Sequence, residues 1–171
     1  MAVVTSYGSR IMSGLVNSVP SALADPGEGG GRTRKWVETV ETGAADSMTS
    51  TYLLARLPSN ARLFGTGSKL AHDALGATTA TLGIGIYKTK TDQSMTDDPD
   101  ALNTGIVAST AGTKELIADK ANWGKRLWEY VNGQTVDPGG LLDVKVVIES
   151  ATAHLSSGGG TITAEIEYAL D

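Results

Sequence analysis

The chain has 171 residues, 40% of them apolar and 19% charged, which is the size and composition of one globular domain with a real core. It has no cysteine, so disulfides, thiolate catalysis and cysteine-based zinc sites are excluded. The net charge is −5 and uneven: residues 1–35 hold four basic against two acidic side chains, and the remainder holds 10 basic and 17 acidic. A body this acidic argues against nucleic-acid binding, because phosphate neutralisation needs a basic surface.

Residues 1–34 read as an extended arm without a core of its own. The arm ends in Asp25-Pro26-Gly27-Glu28-Gly29-Gly30-Gly31, which cannot pack a hydrophobic interior. It nevertheless carries Val3, Val4, Tyr7, Ile11, Met12, Leu15, Val16, Val19 and Leu23. Apolar residues without a fold want a surface to lie on, and another subunit or another protein supplies one. Ala22-Leu23-Ala24 resembles a signal-peptide cleavage site. The stretch before it is broken by Ser13, Gly14, Asn17, Ser18 and Pro20, whereas a secretory segment needs about 7–15 continuous apolar residues. No apolar run reaches the roughly 18–20 residues of a membrane helix.

The body, residues 35–171, reads as a series of short strands. Lys35 to Glu41 alternates, and Gly43 to Ser47 is a turn. Thr49 to Leu57 is a strand with Leu53, Ala55 and Leu57 on one face and Tyr52, Leu54 and Arg56 on the other; Pro58-Ser59-Asn60 breaks it. Ala61 to Phe64 resumes an extended run, and Gly65-Thr66-Gly67-Ser68-Lys69 is expected to turn. Thr79 to Lys88 is the clearest strand. Leu82, Ile84 and Ile86 share one face, and Gly83 and Gly85 on the other leave room for close approach by something bulky.

Thr89 to Asn103 reads as a polar loop. Ile106-Val107-Ala108 and Glu115-Leu116-Ile117 are short apolar segments. Gly124 to Val131 is expected as one short helix, and Asp137-Pro138-Gly139-Gly140 as a turn. Leu142, Val144, Val146 and Ile148 then alternate with polar positions, as do Ile162, Ala164, Ile166 and Tyr168. With the Gly/Ser stretch between them, these two runs read as a β-hairpin. Seven or eight short strands with almost no helix predict an all-β fold: an antiparallel β-sandwich, jelly-roll-like, with one short helix and the N-terminal arm.

Chemistry is sparse. His72-Asp73 beside Ser68 has no nucleophile elbow and reads as a loop histidine; His154 carries no role. Gly65 to Lys69 lacks the spacing of a phosphate loop. Asp92, Asp97, Asp98 and Asp100 do not match a calcium loop and read as solvated. Trp36, Trp123 and Trp128 can stack on sugars if exposed, but Trp123 and Trp128 lie among apolar neighbours and are expected to pack. No catalytic, cofactor or metal residue is assigned.

Arg56-Leu57-Pro58-Ser59-Asn60-Ala61-Arg62, Ala80 to Tyr87, Gly124-Lys125-Arg126-Leu127-Trp128-Glu129 and Asp137-Pro138-Gly139-Gly140 follow one another in an order that carries a resemblance. From about Ser50 onward the chain resembles the small structural proteins of tailed bacteriophages whose genes accompany the major capsid protein, among them head decoration or cement proteins. The resemblance implies a β-rich, oligomeric, non-enzymatic protein that binds the outside of the assembled capsid and braces it. Its partners would be the major capsid protein and other copies of itself, as dimer or trimer, with neither nucleic acid nor membrane. It would be made in the bacterial host cytoplasm and end on the virion surface. The resemblance does not say what the arm contacts; from the arm's own apolar and basic residues, Tyr7, Arg10, Ile11, Leu15, Arg32 and Arg34 are the expected partner contacts. Another virion part, such as a head fibre or tail protein, and a carbohydrate-binding β-sandwich are the alternatives.

Overall fold

The computed structural model describes residues 32–43, 46–76, 80–150 and 160–170. Eight strands follow one another: β1 (Arg34–Thr42), β2 (Thr51–Pro58), β3 (Arg62–His72), β4 (Thr81–Lys88), β5 (Asp98–Val107), β6 (Gly112–Glu115), β7 (Leu141–Ser150) and β8 (Gly160–Ala169). Pairing is nested. β1 lies on β8, β2 on β7, β3 on β6 and β4 on β5, all antiparallel. Two further pairings, β3 with β8 and β4 with β7, gather these couples into two four-stranded sheets, β1-β8-β3-β6 and β2-β7-β4-β5. Two such sheets face to face are a jelly roll.

Alternation explains which residues fill the space between the sheets. Leu142, Val144, Val146 and Ile148 of β7 are all fully buried, and Ile162, Ala164 and Ile166 of β8 face them from the other sheet. Leu82, Ile84 and Ile86 of β4 and Leu63 and Leu70 of β3 complete the centre. Burying one side chain of this size stabilises the fold by roughly 1.5–3 kcal/mol before the ordering entropy is counted.

The last two strands do not form a hairpin. β7 and β8 sit in different sheets, each between two neighbours. A hairpin would give each strand one local partner. Central positions give each of them hydrogen-bond partners on both edges, and buried backbone groups require that.

Three local readings change for one reason: a bulge breaks the period of two. In β2 the register shifts between Leu53 and Ala55. Leu54 and Ala55 are therefore both buried and Leu53 is exposed, where strict alternation placed Leu53 with Ala55 and Leu57. In β3 the Gly65 to Lys69 segment is not a turn. It lies inside the strand, where the register against β8 shifts between Phe64 and Lys69. The fully buried Ser68 side chain closes that bulge, donating to the Phe64 carbonyl (2.6 Å) and accepting from the Glu167 N–H (2.9 Å). In β5, residues 98–103 are strand rather than polar loop. This sheet-edge strand shifts register against β4 twice, so its apolar positions never alternate cleanly.

The expected room over Gly83 and Gly85 is used. A β-carbon at Gly85 would lie 2.4 Å from the Asp98 carbonyl oxygen and 2.5 Å from Pro99 Cα, and one at Gly83 would meet the Glu149 carboxylate. Instead of one short helix, two 3-10 turns appear, Lys120–Asn122 and Leu127–Tyr130, separated by Gly124 at φ +81°. The segment between them runs along the start of β3. Gly124 N–H donates to the Leu63 carbonyl (2.8 Å) and Leu63 N–H to the Lys125 carbonyl (3.1 Å).

Candidate interaction surface

Each sheet has two outer strands. β1 and β2 lie on one side of the sandwich and approach one another there; β6 and β5 are the outer strands on the other side. On β1 the side chains alternate. Lys35, Val37, Thr39 and Glu41 are exposed, while Trp36, Glu38 and Val40 are half-buried and turn toward β2. With Leu53, Leu54 and Arg56 of β2 they line an open groove of about 400 Å³. The Trp36 indole N–H is buried there without an acceptor among the described residues.

Charged groups brace both walls of this groove. Lys35 Nζ lies 2.7 Å from Glu165 Oε2, and that ammonium holds the Glu165 carboxyl below its ordinary pKa. Arg56 grips the buried Asp143 with two nitrogens, at 2.6 and 3.1 Å, and Lys145 stands 3.6 Å from the same carboxylate. At the foot of β2, the Tyr52 hydroxyl donates to Asp46 (2.5 Å), which also accepts from Gly43 N–H (2.6 Å). These bonds lower the Asp46 pKa, the Tyr52 bond most. Burial, then the Asp46 bond, raises that of Tyr52.

Two other concave places are accounted for by internal contacts. One, of about 350 Å³, lies between Thr89–Gln93 and Pro138–Leu141. Gln93 staples it: its amide oxygen accepts from the N–H groups of Thr89 and Lys90, and its amide nitrogen donates to the carbonyls of Gly139 and Leu141. The other, on the outer face of the second sheet, is bordered by Met48, Pro99 and Val147. Its carboxylate, Glu149, already accepts from Thr104 Oγ1 and Gly105 N–H.

The residues weighed for chemistry do not assemble. His72 is a buried residue at the end of β3 rather than a loop histidine, with Nδ1 2.9 Å from the Asp73 carbonyl oxygen. The Asp73 carboxylate is turned to Thr161 N–H and Oγ1, and those bonds lower its pKa. Ser68 is committed to its bulge. Asp97 accepts from Lys88 N–H and Asp98 from Asn132 N–H. A hydrogen bond with Asp98 raises the Asp100 pKa, because two neighbouring carboxyls share a proton more readily than two charges. Among the described residues no three metal-ligating side chains are gathered. All three tryptophans pack against the core.

Of the expected contact residues, Tyr7, Arg10, Ile11 and Leu15 lie outside the described residues, as does His154. Arg32 and Arg34 are exposed, and Arg34 opens β1 opposite Tyr168. The groove itself was missed from the sequence. Its one signal was the alternation of Trp36, Glu38 and Val40, which marks a strand but not its place at a sheet edge.

No protein-family model and no curated protein matches the chain. Solved structures do. A chain in the capsid asymmetric unit of cyanophage Pam1 superposes with a TM-score of 0.55 at 20% identity, covering 92% of this chain and 99% of that one. A chain from the capsid of Ralstonia phage GP4 gives 0.53 at 20% identity, covering 84% and 86%. What they share with this chain is the fold.

Proposed function

We propose that this chain is a structural protein of a bacteriophage virion that binds the outside of the assembled capsid and stabilises contacts between major capsid protein subunits. One observation carries the reading. The jelly roll matches 99% of a chain found in a phage capsid asymmetric unit, so the likeness is to a whole small capsid component and not to one domain of a larger protein.

The physical role follows from mass action. A protein that binds the closed shell but not its separated subunits shifts the equilibrium toward the shell, and many symmetric copies multiply a modest contact. The bulged, doubly braced sandwich supplies a rigid body. The residues before β1, with Tyr7, Arg10, Ile11, Leu15 and Arg32, reach the neighbour, and Arg34 opens β1 beside them; at full extension they span up to ~110 Å.

Purified protein mixed with empty mature capsids tests this. Saturable binding to particles, little binding to dissociated capsid subunits, and a higher temperature of particle rupture are expected. Absence of binding to particles defeats the reading, and density confined to the tail or fibres in a cryo-EM map favours a different virion part.

A further inference from the structure

The four outer strands are not equally protected against pairing with another chain. β6 has only four residues. β5 carries Pro99 near its start and shifts register twice. β2 has a bulge and ends at Pro58. Shortness, bulges and proline are the usual means of closing a sheet edge. β1 is neither short nor bulged and lacks proline; the devices it does carry are charges, Lys35 outward and Glu38 inward. Its nine residues run in unbroken register with β8 and contain neither glycine nor proline, and no described strand pairs with its other edge. Beside that edge lies the groove lined by Trp36, whose indole N–H has no acceptor among the described residues.

We propose that the free edge of β1 is a strand-acceptor site filled by residues Ala2–Tyr7 of a second copy of this chain. The proposal sharpens the arm contact of the preceding reading but does not need a capsid. Three features select the occupant. First, 33 residues precede β1, enough to reach well beyond the domain. Second, Ala2-Val3-Val4-Thr5-Ser6-Tyr7 is free of glycine and proline and has four residues of high strand propensity. Ile11 to Leu15 contains Gly14, and Leu15 to Val19 runs into Pro20.

Third, the inward row of β1 reads apolar, acidic, apolar: Trp36, Glu38, Val40. Val3, Thr5 and Tyr7 read apolar, hydroxyl, apolar, so Thr5 opposite Glu38 would set a hydroxyl against the carboxylate while Val3 and Tyr7 cover the apolar ends of the groove. Opposed side chains of matching character are what stabilises and registers an added strand. Each copy offers one donor segment and one acceptor edge, so reciprocal exchange between two copies gives a two-fold dimer, and head-to-tail exchange gives a ring where the rotation closes.

Proline in the donor tests this with the full chain. Successive N–H groups of a strand point to opposite edges, so of Val4→Pro and Thr5→Pro one must remove a bond to β1 whatever the register. Sedimentation of the parent chain is expected to show a concentration-dependent oligomer, with amides of β1 slow to exchange on both edges. One of the two variants should lose the oligomer and the protection along β1, keeping protection in β7 and β8, which reports an intact sandwich.

An oligomer unchanged in both variants overturns the proposal, as does a monomeric parent with β1 already protected, since its own segment then fills the edge. Dissociation by Ser13→Pro alone overturns the choice of segment. Arm-dependent oligomers that fail to bind capsids would defeat the capsid reading and leave this one standing.

Discussion

The Trp123 indole lies directly on the backbone of Gly65: a β-carbon built at Gly65 would come within 1.9 Å of the indole Nε1. Residue 65 is thus a seat for a side chain from the segment between the two 3-10 turns. Its φ is not in the left-handed region, so the requirement for glycine is one of space. Gly65→Ala should destabilise the protein by about 1–3 kcal/mol, the usual cost of overpacking. In a Trp123→Ala background the same change should cost under about 0.5 kcal/mol. Denaturant melts of the four proteins measure the coupling, and purely additive effects would show that the contact is not the cause.

Gly85 and Gly83 provide a graded comparison. At Gly85 a methyl group meets the backbone of Asp98 and Pro99, which can move only if β5 peels away. At Gly83 it meets the end of the Glu149 side chain, which can swing aside at the loss of its bonds to Thr104 and Gly105. Gly85→Ala should therefore cost more, near the upper end of about 1–3 kcal/mol, and Gly83→Ala less. Hydrogen exchange should show β5 opening only in Gly85→Ala; equal costs in both would contradict this.

Ser68 supports a bulge with one hydroxyl. Ser68→Ala leaves the Phe64 carbonyl and the Glu167 N–H without that partner inside the protein, at a cost of about 1–3 kcal/mol for each group left unpaired. The predicted signature in thermal melts is a clear fall in Tm for Ser68→Ala. A change within error would mean the bulge does not depend on the hydroxyl.

The Tyr52–Asp46 bond predicts a pH dependence. Asp46 has a lowered pKa in the folded protein, so its contribution is present above the unfolded carboxyl value of about 3.9 and is lost as pH falls through the lower folded value. Tyr52→Phe removes the larger cause. Asp46 should then titrate at higher pH by carboxyl NMR, and the stability difference between Tyr52→Phe and the parent should narrow in acid. An unchanged Asp46 titration would refute the assignment.

Of the expected arm, only residues 32–34 are described; Arg32 precedes β1 and Arg34 opens it. The groove beside that strand was not visible, because Trp36 and Leu54 belong to different sheets and meet only when the sandwich closes. The irregularities in β2, β3 and β5 hid further strand positions, since each puts an odd number of extra residues, one in β2, three in β3 and one and three in β5, out of step with the period on which sequence reading depends.

Local pattern by itself determined that β1, β4, β7 and β8 are strands and, in β4, β7 and β8, which row of apolar side chains enters the core, because side chains of a strand point alternately to its two faces. Partnership was decided only by tertiary structure. β7 and β8, adjacent along the chain, took places in opposite sheets, and β1 took an outer place with no described strand on its other edge, because hydrogen-bond pairing between strands is won by the arrangement that satisfies the most backbone at once, and no segment of sequence carries that sum alone.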